Sequence, residues 1–291
     1  MPIVQANGLD IAYEVRGGGP PLVLLHGATS AGREDFAAQL PAMSKTFLVH
    51  VPDARGHGGT RWDAADGFSY EWLVEDLLAF VDALGLRTFH LLGFSMGGMT
   101  ALQFAARWPE RLRTLLVVGI TTMREPRASV ARRLMNPEWI LARDPAWAAT
   151  LSRRHDPVQG VGAWQRLLPA IAADIVDQPL LTPAQLHGID CPAMVVCGDR
   201  DPFVPVEHAA ALARQLPDGR LFVAPDCGHE VTVKRPGLFN EAASGFYRAT
   251  AATAERRATA YAPESAQAPM SSPAPPASPA PPANPVEEVT R

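Results

Sequence analysis

Residues 93–97, Gly-Phe-Ser-Met-Gly, have the spacing G-x-S-x-G, which places a serine hydroxyl on a sharp turn. An apolar run over 89–92 enters the turn, and a run compatible with a helix, 99–107, leaves it. Glycines two positions before and after the serine leave room where a Cβ would collide with neighbouring backbone. The backbone N–H groups and the positive end of the following helix suit a developing oxyanion. The pattern predicts that Ser95 is a nucleophile at the end of a buried strand.

A serine hydroxyl is a poor nucleophile, so Ser95 requires a base, and around such an elbow the chain order is serine, acid, histidine. The histidines that follow are His155, His187, His208 and His229. His229 comes just after the apolar run 221–223, so it should lie on a loop at the sheet edge that carries Ser95. His208 falls in a predicted helix, and the other two fall in a segment assigned to a lid. We therefore expect His229 to be the base.

The acid that orients this base should follow another buried strand. The run 193–197 is such a strand, and Gly-Asp-Arg-Asp-Pro follows it at 198–202. Two aspartates compete for the role. Asp201 precedes a proline, whose ring biases it towards an extended conformation that can turn its carboxylate towards His229. Asp199 lies closer to the strand and can instead cap the turn or pair with an arginine. We favour Asp201, which would hold the imidazole in the right tautomer and stabilise the imidazolium.

The second part of an oxyanion hole should come from the loop after an earlier strand. The apolar run 21–25 is typical of a strand covered on both faces, and it ends in His-Gly-Ala-Thr. We expect the backbone N–H groups of Ala28 and Met96 to be the two donors. His26 precedes the nucleophile, out of order for a base, and is expected to orient the loop through a hydrogen bond.

Taken together, these motifs resemble the α/β-hydrolase family, in its serine esterase and enol-lactonase-like branch. The matching motifs, in family order, are His26-Gly27, Asp53-Ala-Arg-Gly-His-Gly58, Gly93-Phe-Ser-Met-Gly-Gly98, Gly198-Asp-Arg-Asp201 and Gly228-His229. The resemblance runs from about residue 3 to 246 and is weakest over 121–188. It implies an α/β fold with an eight-stranded, mostly parallel sheet flanked by helices, and a triad of Ser95, His229 and Asp201. It also implies that the loop 53–58, with His57, is structural.

The predicted elements fit this fold. Asn7-Gly8 between two strand-like runs favours a hairpin, and the strand–helix alternation that follows favours parallel strands with helical crossovers. The expected elements are strands 3–6, 9–15, 21–25, 47–51, 89–92, 112–118, 193–197 and 221–223, and helices 33–40, 70–84, 99–107, 206–216 and 236–247.

The expected domain organisation is a hydrolase core in two parts, 1–120 and 189–250, a helical lid over 121–188, and a disordered Pro/Ala-rich tail over 258–291. Tryptophans of the lid, Trp139 and Trp164, together with Phe94 and Val204, are expected to line an apolar substrate pocket. The alternative is that the tryptophans only pack the lid onto the core. His155, also in the lid, is expected to serve in a surface salt bridge or a helix cap.

Composition excludes several other classes of function. The 291 residues carry a net charge of −4 without a long basic cluster, so we expect no nucleic-acid partner. The three cysteines lack metal-ligand spacing, and a reduced, cytoplasmic setting is the simplest account. No charged-then-apolar leader opens the chain and no apolar run approaches the ~20 residues of a membrane span. We expect no metal or organic cofactor, and the oligomeric state stays open.

The function expected from these residues is hydrolysis of a small carboxylic ester or lactone through an acyl-enzyme. Two alternatives use the same fold: C–C bond hydrolysis, and perhydrolysis of the cofactor-free haloperoxidase type. Members of the family that cleave C–C bonds carry an aromatic residue directly after the histidine, where Glu230 stands here. A non-catalytic binder of small molecules is the third alternative.

Overall fold

Eight β-strands form one sheet in the computed structural model, which describes residues 1–261. The strands are β1 (Ile3–Ala6), β2 (Leu9–Gly17), β3 (Pro21–Leu25), β4 (Leu48–Pro52), β5 (Phe89–Phe94), β6 (Leu112–Val118), β7 (Ala193–Gly198) and β8 (Gly219–Ala224). Their order across the sheet is β1-β2-β4-β3-β5-β6-β7-β8. The pairs β1–β2 and β2–β4 are antiparallel, and the remaining neighbours are parallel. The predicted eight-stranded, mostly parallel sheet is confirmed.

Helices cover the sheet on both faces. They are α1 (Gly32–Asp35), α2 (Leu40–Met43), α3 (Tyr70–Ala83), α4 (Met96–Arg107), α5 (Arg127–Leu134), α6 (Pro137–Arg143), α7 (Pro145–Gln159), α8 (Trp164–Asp177), α9 (Pro183–His187), α10 (Val206–Gln215), α11 (Val231–Lys234) and α12 (Pro236–Ala260). Among residues 1–261, no helix is both long and apolar enough to cross a bilayer.

The central strands read as continuous apolar runs because each face packs against its own core. Alternate side chains of a strand point to opposite faces. Val23 and Leu25 of β3 therefore join one apolar cluster, with helices α3, α4 and α10. Leu22 and Leu24 join the other, which contains residues of α12. Burial on both faces fixes the strand positions and brings their carboxyl ends to a common edge.

The first hairpin turns at Asn7 and Gly8, whose φ angles of 49° and 73° lie in the left-handed region, as the dipeptide predicted. The predicted helix over 33–40 is wrong. The chain instead forms the two short helices α1 and α2. The backbone leaves the helical conformation at Phe36, with φ −114° and ψ 20°, before α2 begins at Leu40. Pro41 lies in the first turn of α2, where its missing N–H breaks no helical bond. The strand predicted over 47–51 lies one residue later, at β4.

The last helix is longer than predicted, since α12 continues thirteen residues past Tyr247 to Ala260. Arg257 explains the extension. Its guanidinium donates to the carbonyl oxygens of Leu112 at 2.7 Å and Pro109 at 2.7 Å, and it forms a salt bridge of 2.8 Å with Asp190. Residues 258–260, which were predicted to belong to the tail, are therefore part of this helix. The rest of the predicted tail, from 262 to 291, lies outside the described residues.

Five helices, α5 to α9, lie between β6 and β7, and we call this segment the helical insertion. It overlaps residues 121–188, the segment that the sequence analysis assigned to a helical lid. Several polar contacts join it to the core, among them those of Gln159 and Asp174. Gln159 bonds the backbone of Thr60 at 2.7 Å and of Trp62 at 3.0 Å, and Asp174 accepts from the N–H of Tyr70 at 3.1 Å.

Candidate active site

Ser95 lies between β5 and α4 with φ 51° and ψ −112°, a conformation that is costly for a residue with a side chain. Two close backbone approaches hold it there. A Cβ on Gly93 would lie 2.2 Å from the carbonyl oxygen of Gly97, and one on Gly97 would lie 2.2 Å from that of Leu25. Both positions therefore require glycine. The turn leaves the Ser95 side chain partly exposed at the carboxyl edge of the sheet.

The three side chains expected to act together lie in hydrogen-bond contact. His229 Nε2 is 2.9 Å from Ser95 Oγ, and His229 Nδ1 is 2.8 Å from Asp201 Oδ2. Because a carboxylate only accepts, Nδ1 carries the proton and Nε2 accepts from the serine hydroxyl. A serine whose hydroxyl faces an imidazole lone pair has the arrangement needed for proton removal during attack on a carbonyl carbon.

Asp201 is oriented by its own neighbours. Its Oδ1 accepts from the backbone N–H groups of Phe203 at 2.8 Å and Val204 at 3.1 Å, which leaves Oδ2 for the histidine. The side chain of Asp201 is fully buried, and that of His229 is 16% exposed. The competing aspartate, Asp199, accepts from the N–H of Cys227 at 3.0 Å, and this bond lowers its pKa. Asp199 is exposed and does not contact the imidazole.

The ring of His229 is packed between two aromatic side chains, Phe94 and Phe203, at centroid distances of 5.2 and 4.5 Å. Below it the chain passes through Gly119 with φ 65°, where a Cβ would lie 2.9 Å from the imidazole Cε1. A side chain at 119 would therefore displace the imidazole. The glycine and the aromatic pair limit its movement away from Ser95.

Ala28 and Met96, whose backbone N–H groups are the predicted oxyanion donors, line a narrow cavity together with Ser95 and His229. Within the part of the chain that the structure describes, neither N–H donates to a protein acceptor. The loop that carries Ala28 is fixed on both sides. Gly97 donates its N–H to the carbonyl of His26 at 3.0 Å, and Asp35 Oδ2 accepts from the N–H of Gly27 at 2.8 Å. Burial raises the pKa of Asp35.

Three histidines, His26, His57 and His155, pack edge to face near this loop, with ring centroids 5.1 and 5.4 Å apart. His26 accepts from the N–H of Ala54 at 2.9 Å through Nε2, so its Nδ1–H donates to the carbonyl of Gly27 at 2.8 Å. This is the loop-orienting contact that the sequence analysis expected.

His57 is buried with its nitrogens 2.9 Å from the carbonyl of Arg55 and 2.8 Å from that of Ala28. Burial, with the two neighbouring histidines, lowers the pKa of His57 well below its usual value. The ring is therefore neutral near pH 7 and donates to one of the two carbonyls. The surface role expected for His155 is wrong, because its side chain is 1% exposed and packs on His57.

An open chamber of 610 Å³ lies over Ser95 and His229. Its walls come from the loop 27–30, from Phe203 and Glu230, and from the helical insertion. The insertion contributes Leu134, Met135, Trp139, Asp144, Trp147 and Arg154. Arg154 forms a salt bridge with Glu34 and donates to the carbonyl of Thr29, so it ties the insertion to the loop that carries Ala28.

Of the residues expected to line a substrate pocket, Phe94 and Trp139 line this chamber. Trp164 and Val204 are each 1% exposed and lie outside its walls, so that expectation is wrong for both. Trp164 packs inside the insertion and donates its indole N–H to Ser152 Oγ at 3.1 Å. Val204 is held by the hydrogen bond of its N–H to Asp201.

The residues predicted for the site did not include Met135, Phe203 and the buried Arg127, which also lie near the serine. Phe203 was accessible to prediction, because it follows Asp201 and Pro202 on the loop that carries Asp201. The other two lie on or next to helix α5 of the insertion, where no pattern in the sequence indicates which face points inward. Trp147, a tryptophan of the predicted lid like Trp139, also lines the chamber. Among residues 1–261, no group of three or more His, Cys, Asp or Glu side chains is placed to hold a metal ion.

The comparisons with known proteins agree with this architecture. Residues 22–242 match the model of the Alpha/beta hydrolase family, which is more than half of the chain. The chain belongs to this family. Membership accounts for the strand order, the strained serine between β5 and α4, and the position of the histidine after β8.

Individual relatives of this α/β hydrolase are distant but cover most of it. It is 28% identical to Serine hydrolase BPHL of Mus musculus over 84% of each chain. It is 26% identical to the Putative carbamate hydrolase RutD of Caulobacter sp. (strain K31), over 86% of this chain and all of that protein. Among solved structures, Est816, described as an N-acyl homoserine lactone degrading enzyme, superposes with a TM-score of 0.69 at 28% identity, over 84% of this chain and all of Est816.

Proposed function

We propose that this α/β hydrolase cleaves a small carboxylic ester or lactone through an acyl-enzyme on Ser95. The observation that carries the proposal is the continuous relay from Asp201 through His229 to Ser95, with bonds of 2.8 and 2.9 Å, beneath an open chamber. The description of Est816 as a lactone-degrading enzyme supports this reaction class.

In the first half-reaction His229 Nε2 takes the proton of Ser95 as Oγ attacks the carbonyl carbon. The backbone N–H groups of Ala28 and Met96 stabilise the oxyanion, and Asp201 stabilises the imidazolium. His229 then gives its proton to the departing alkoxide. In a lactone this group stays attached to the acyl chain.

In the second half-reaction a water molecule enters through the chamber. His229 removes a proton from this water as it attacks the acyl carbon. The second tetrahedral intermediate collapses, Ser95 recovers its proton, and the carboxylic acid leaves. The residues that act in these steps are those of the chain itself. The proton of Ser95 leaves with the alcohol and a proton from water replaces it, so the enzyme regains its starting protonation state.

The test compares hydrolysis of short p-nitrophenyl esters by the wild type and by Ser95→Ala under multiple-turnover conditions. The substitution should lower kcat by ~10⁴–10⁶ with little change in stability, as for the removal of a triad member in other serine hydrolases. Equal rates for the two proteins would reject the proposal. Turnover of a C–C substrate or of hydrogen peroxide with no ester hydrolysis would favour the alternatives, and a carbamate in the panel tests the activity named for RutD.

A further inference from the structure

A second, narrow cavity extends from Ser95 in addition to the open chamber. Its volume is 20 Å³, room for about one water molecule, so a larger group enters only when flexible side chains in its walls, those of Met99 and Met135, move aside. Its walls contain Ser95, His229, Ala28 and Met96, and at the far side Tyr70, Met99, Gly119, Arg127, Met135, Ile175 and Phe203. The cavity therefore reaches the reacting serine and both expected oxyanion donors from the side of the helical insertion.

Arg127 has no partner for its charge in this cavity. The residue is 6% exposed, and its Nε, Nη1 and Nη2 are all buried without a hydrogen-bond acceptor among residues 1–261. A buried, unpaired guanidinium is expensive, and native structures seldom keep one without an anion that binds there. Burial lowers the pKa of Arg127, but a guanidinium keeps its proton in proteins, so the charge remains.

The groups that surround Arg127 leave this charge available. The carboxylate of Asp174 interacts electrostatically with Arg127, but among residues 1–261 the two form no salt bridge, and Asp174 accepts from the backbone N–H of Tyr70 at 3.1 Å. The phenol of Tyr70 also lines the cavity, and burial raises its pKa, so it keeps its proton. The second arginine nearby, Arg124, is occupied by the carbonyls of Ile175 and Gln178 at 3.2 and 3.0 Å.

From this geometry we propose that Arg127 binds a carboxylate carried by the acyl part of the substrate, so that the preferred substrates are half-esters of short dicarboxylic acids or lactones of hydroxylated dicarboxylic acids. This deepens the proposed function and rests on it. A guanidinium and a carboxylate match as two parallel N–H···O bonds, which gives orientation as well as affinity. The acyl group belongs on this side because it stays on Ser95 while the alcohol must leave through the wider chamber.

An anionic substrate must also pass the acidic residues of the outer chamber. Each of these carboxylates is already engaged by another group. Glu34 pairs with Arg154, and Glu230 pairs with Lys234 at 3.7 Å. Asp35 accepts from the N–H of Gly27 at 2.8 Å, and Asp144 accepts from the N–H of Trp147 at 2.9 Å. These contacts reduce the repulsion that a carboxylate meets on its way to Arg127.

The substrate test uses monomethyl malonate, succinate and glutarate. Each is paired with a neutral ester in which an isopropyl group replaces the carboxylate: methyl 3-methylbutanoate, 4-methylpentanoate and 5-methylhexanoate. We expect the wild type to prefer the half-ester over its neutral partner by 10- to 100-fold in kcat/KM for at least one length. Arg127→Met should lose that preference mainly through KM and keep its rate on neutral esters within threefold, and Arg127→Lys should restore part of it.

The melting temperature of the Arg127→Met variant distinguishes a binding role of Arg127 from a structural one. Removal of an unpaired buried charge should leave Tm unchanged or raise it, whereas a guanidinium needed for folding would lower Tm when replaced by Met. Arg133→Met, an exposed position on the same helix α5, is the control and should change neither activity nor Tm. Equal use of charged and neutral esters by the wild type, or a loss of both in Arg127→Met together with a lower Tm, would overturn the proposal.

A binding measurement separates this proposal from the reaction itself. Sodium succinate or glutarate should raise the Tm of Ser95→Ala above that in sodium chloride of equal ionic strength, and Ser95→Ala/Arg127→Met should lose this shift. Ester hydrolysis with neither a Tm shift nor a substrate preference would reject the carboxylate site alone. Absence of hydrolysis for every ester, including p-nitrophenyl acetate, would reject the proposed function instead.

Discussion

Asp199 and Asp201 are only two residues apart, yet their carboxylates differ in burial and in hydrogen-bond partner. Asp201 is buried and contacts the imidazole, while Asp199 is exposed and caps the loop of Cys227. The sequence favoured the correct contact because Pro202 restricts the residue before it. Burial and two backbone N–H bonds, which a sequence cannot show, are what fix the orientation of the Asp201 carboxylate.

This difference predicts the outcome of a matched pair of substitutions. Asp201→Asn keeps the shape but presents an amide that does not hold the Nδ1–H tautomer, so kcat should fall by ~10³–10⁴. Asp199→Asn keeps an acceptor for the N–H of Cys227 and should stay within about threefold of the wild type in kcat/KM. Both are measured as p-nitrophenyl ester hydrolysis at neutral pH. A large loss for Asp199→Asn with a small one for Asp201→Asn would reverse the assignment of the acid.

The sequence predicts the site residues that follow strands, but not those that lie on helices of the insertion. Ser95 and His229 could be found because each follows a strand, and parallel strands end at the same edge of the sheet. Trp147 and Trp164 cannot be separated in this way, since both begin or lie within helices and only tertiary packing decides which one faces the chamber. The sequence gives no signal for Arg127, because its significance is that its guanidinium has no hydrogen-bond acceptor among residues 1–261.

At the scale of elements, the contact between α7 and the core depends on a buried histidine. His155 of α7 packs on His57, and burial lowers its pKa to about 4, with Arg154 and His26 adding to the shift. An unfolded chain binds a proton at this position near pH 6.5. Between pH 6.5 and 4 the unfolded state therefore holds a proton that the folded state lacks. The stability from this group is present above pH 6.5 and is lost as pH falls.

We expect His155→Gln to remove this share of the acid sensitivity. The slope of the unfolding free energy against pH should fall by about 1 kcal/mol per pH unit between pH 6 and 4.5. Denaturant unfolding at several pH values measures this slope. Packing that the substitution removes lowers the unfolding free energy equally at every pH, so it does not change the slope. His187→Gln, at an exposed position, should keep the wild-type slope. A wild-type slope in His155→Gln would mean that the imidazole is not held neutral by burial.

At the scale of the whole molecule, the sheet was predictable and the segments around it less so. Burial on both faces forces continuous apolar runs, and these runs marked β3, β5, β6 and β7. The helical insertion has no such constraint, because its helices can bury any of several faces. The end of α12 was also missed. Nothing in the sequence distinguishes Arg257 from a surface arginine, because its bonds to Leu112 and Pro109 form only in the folded chain.

The central claim is that the acyl group is carried by Ser95. The most direct measurement is an acid quench during turnover of p-nitrophenyl acetate, followed by peptide mapping by mass spectrometry. We expect one acetyl group per chain, located on Ser95 in the wild type and absent from Ser95→Ala. Turnover by the wild type with the acetyl group on any other residue would contradict it.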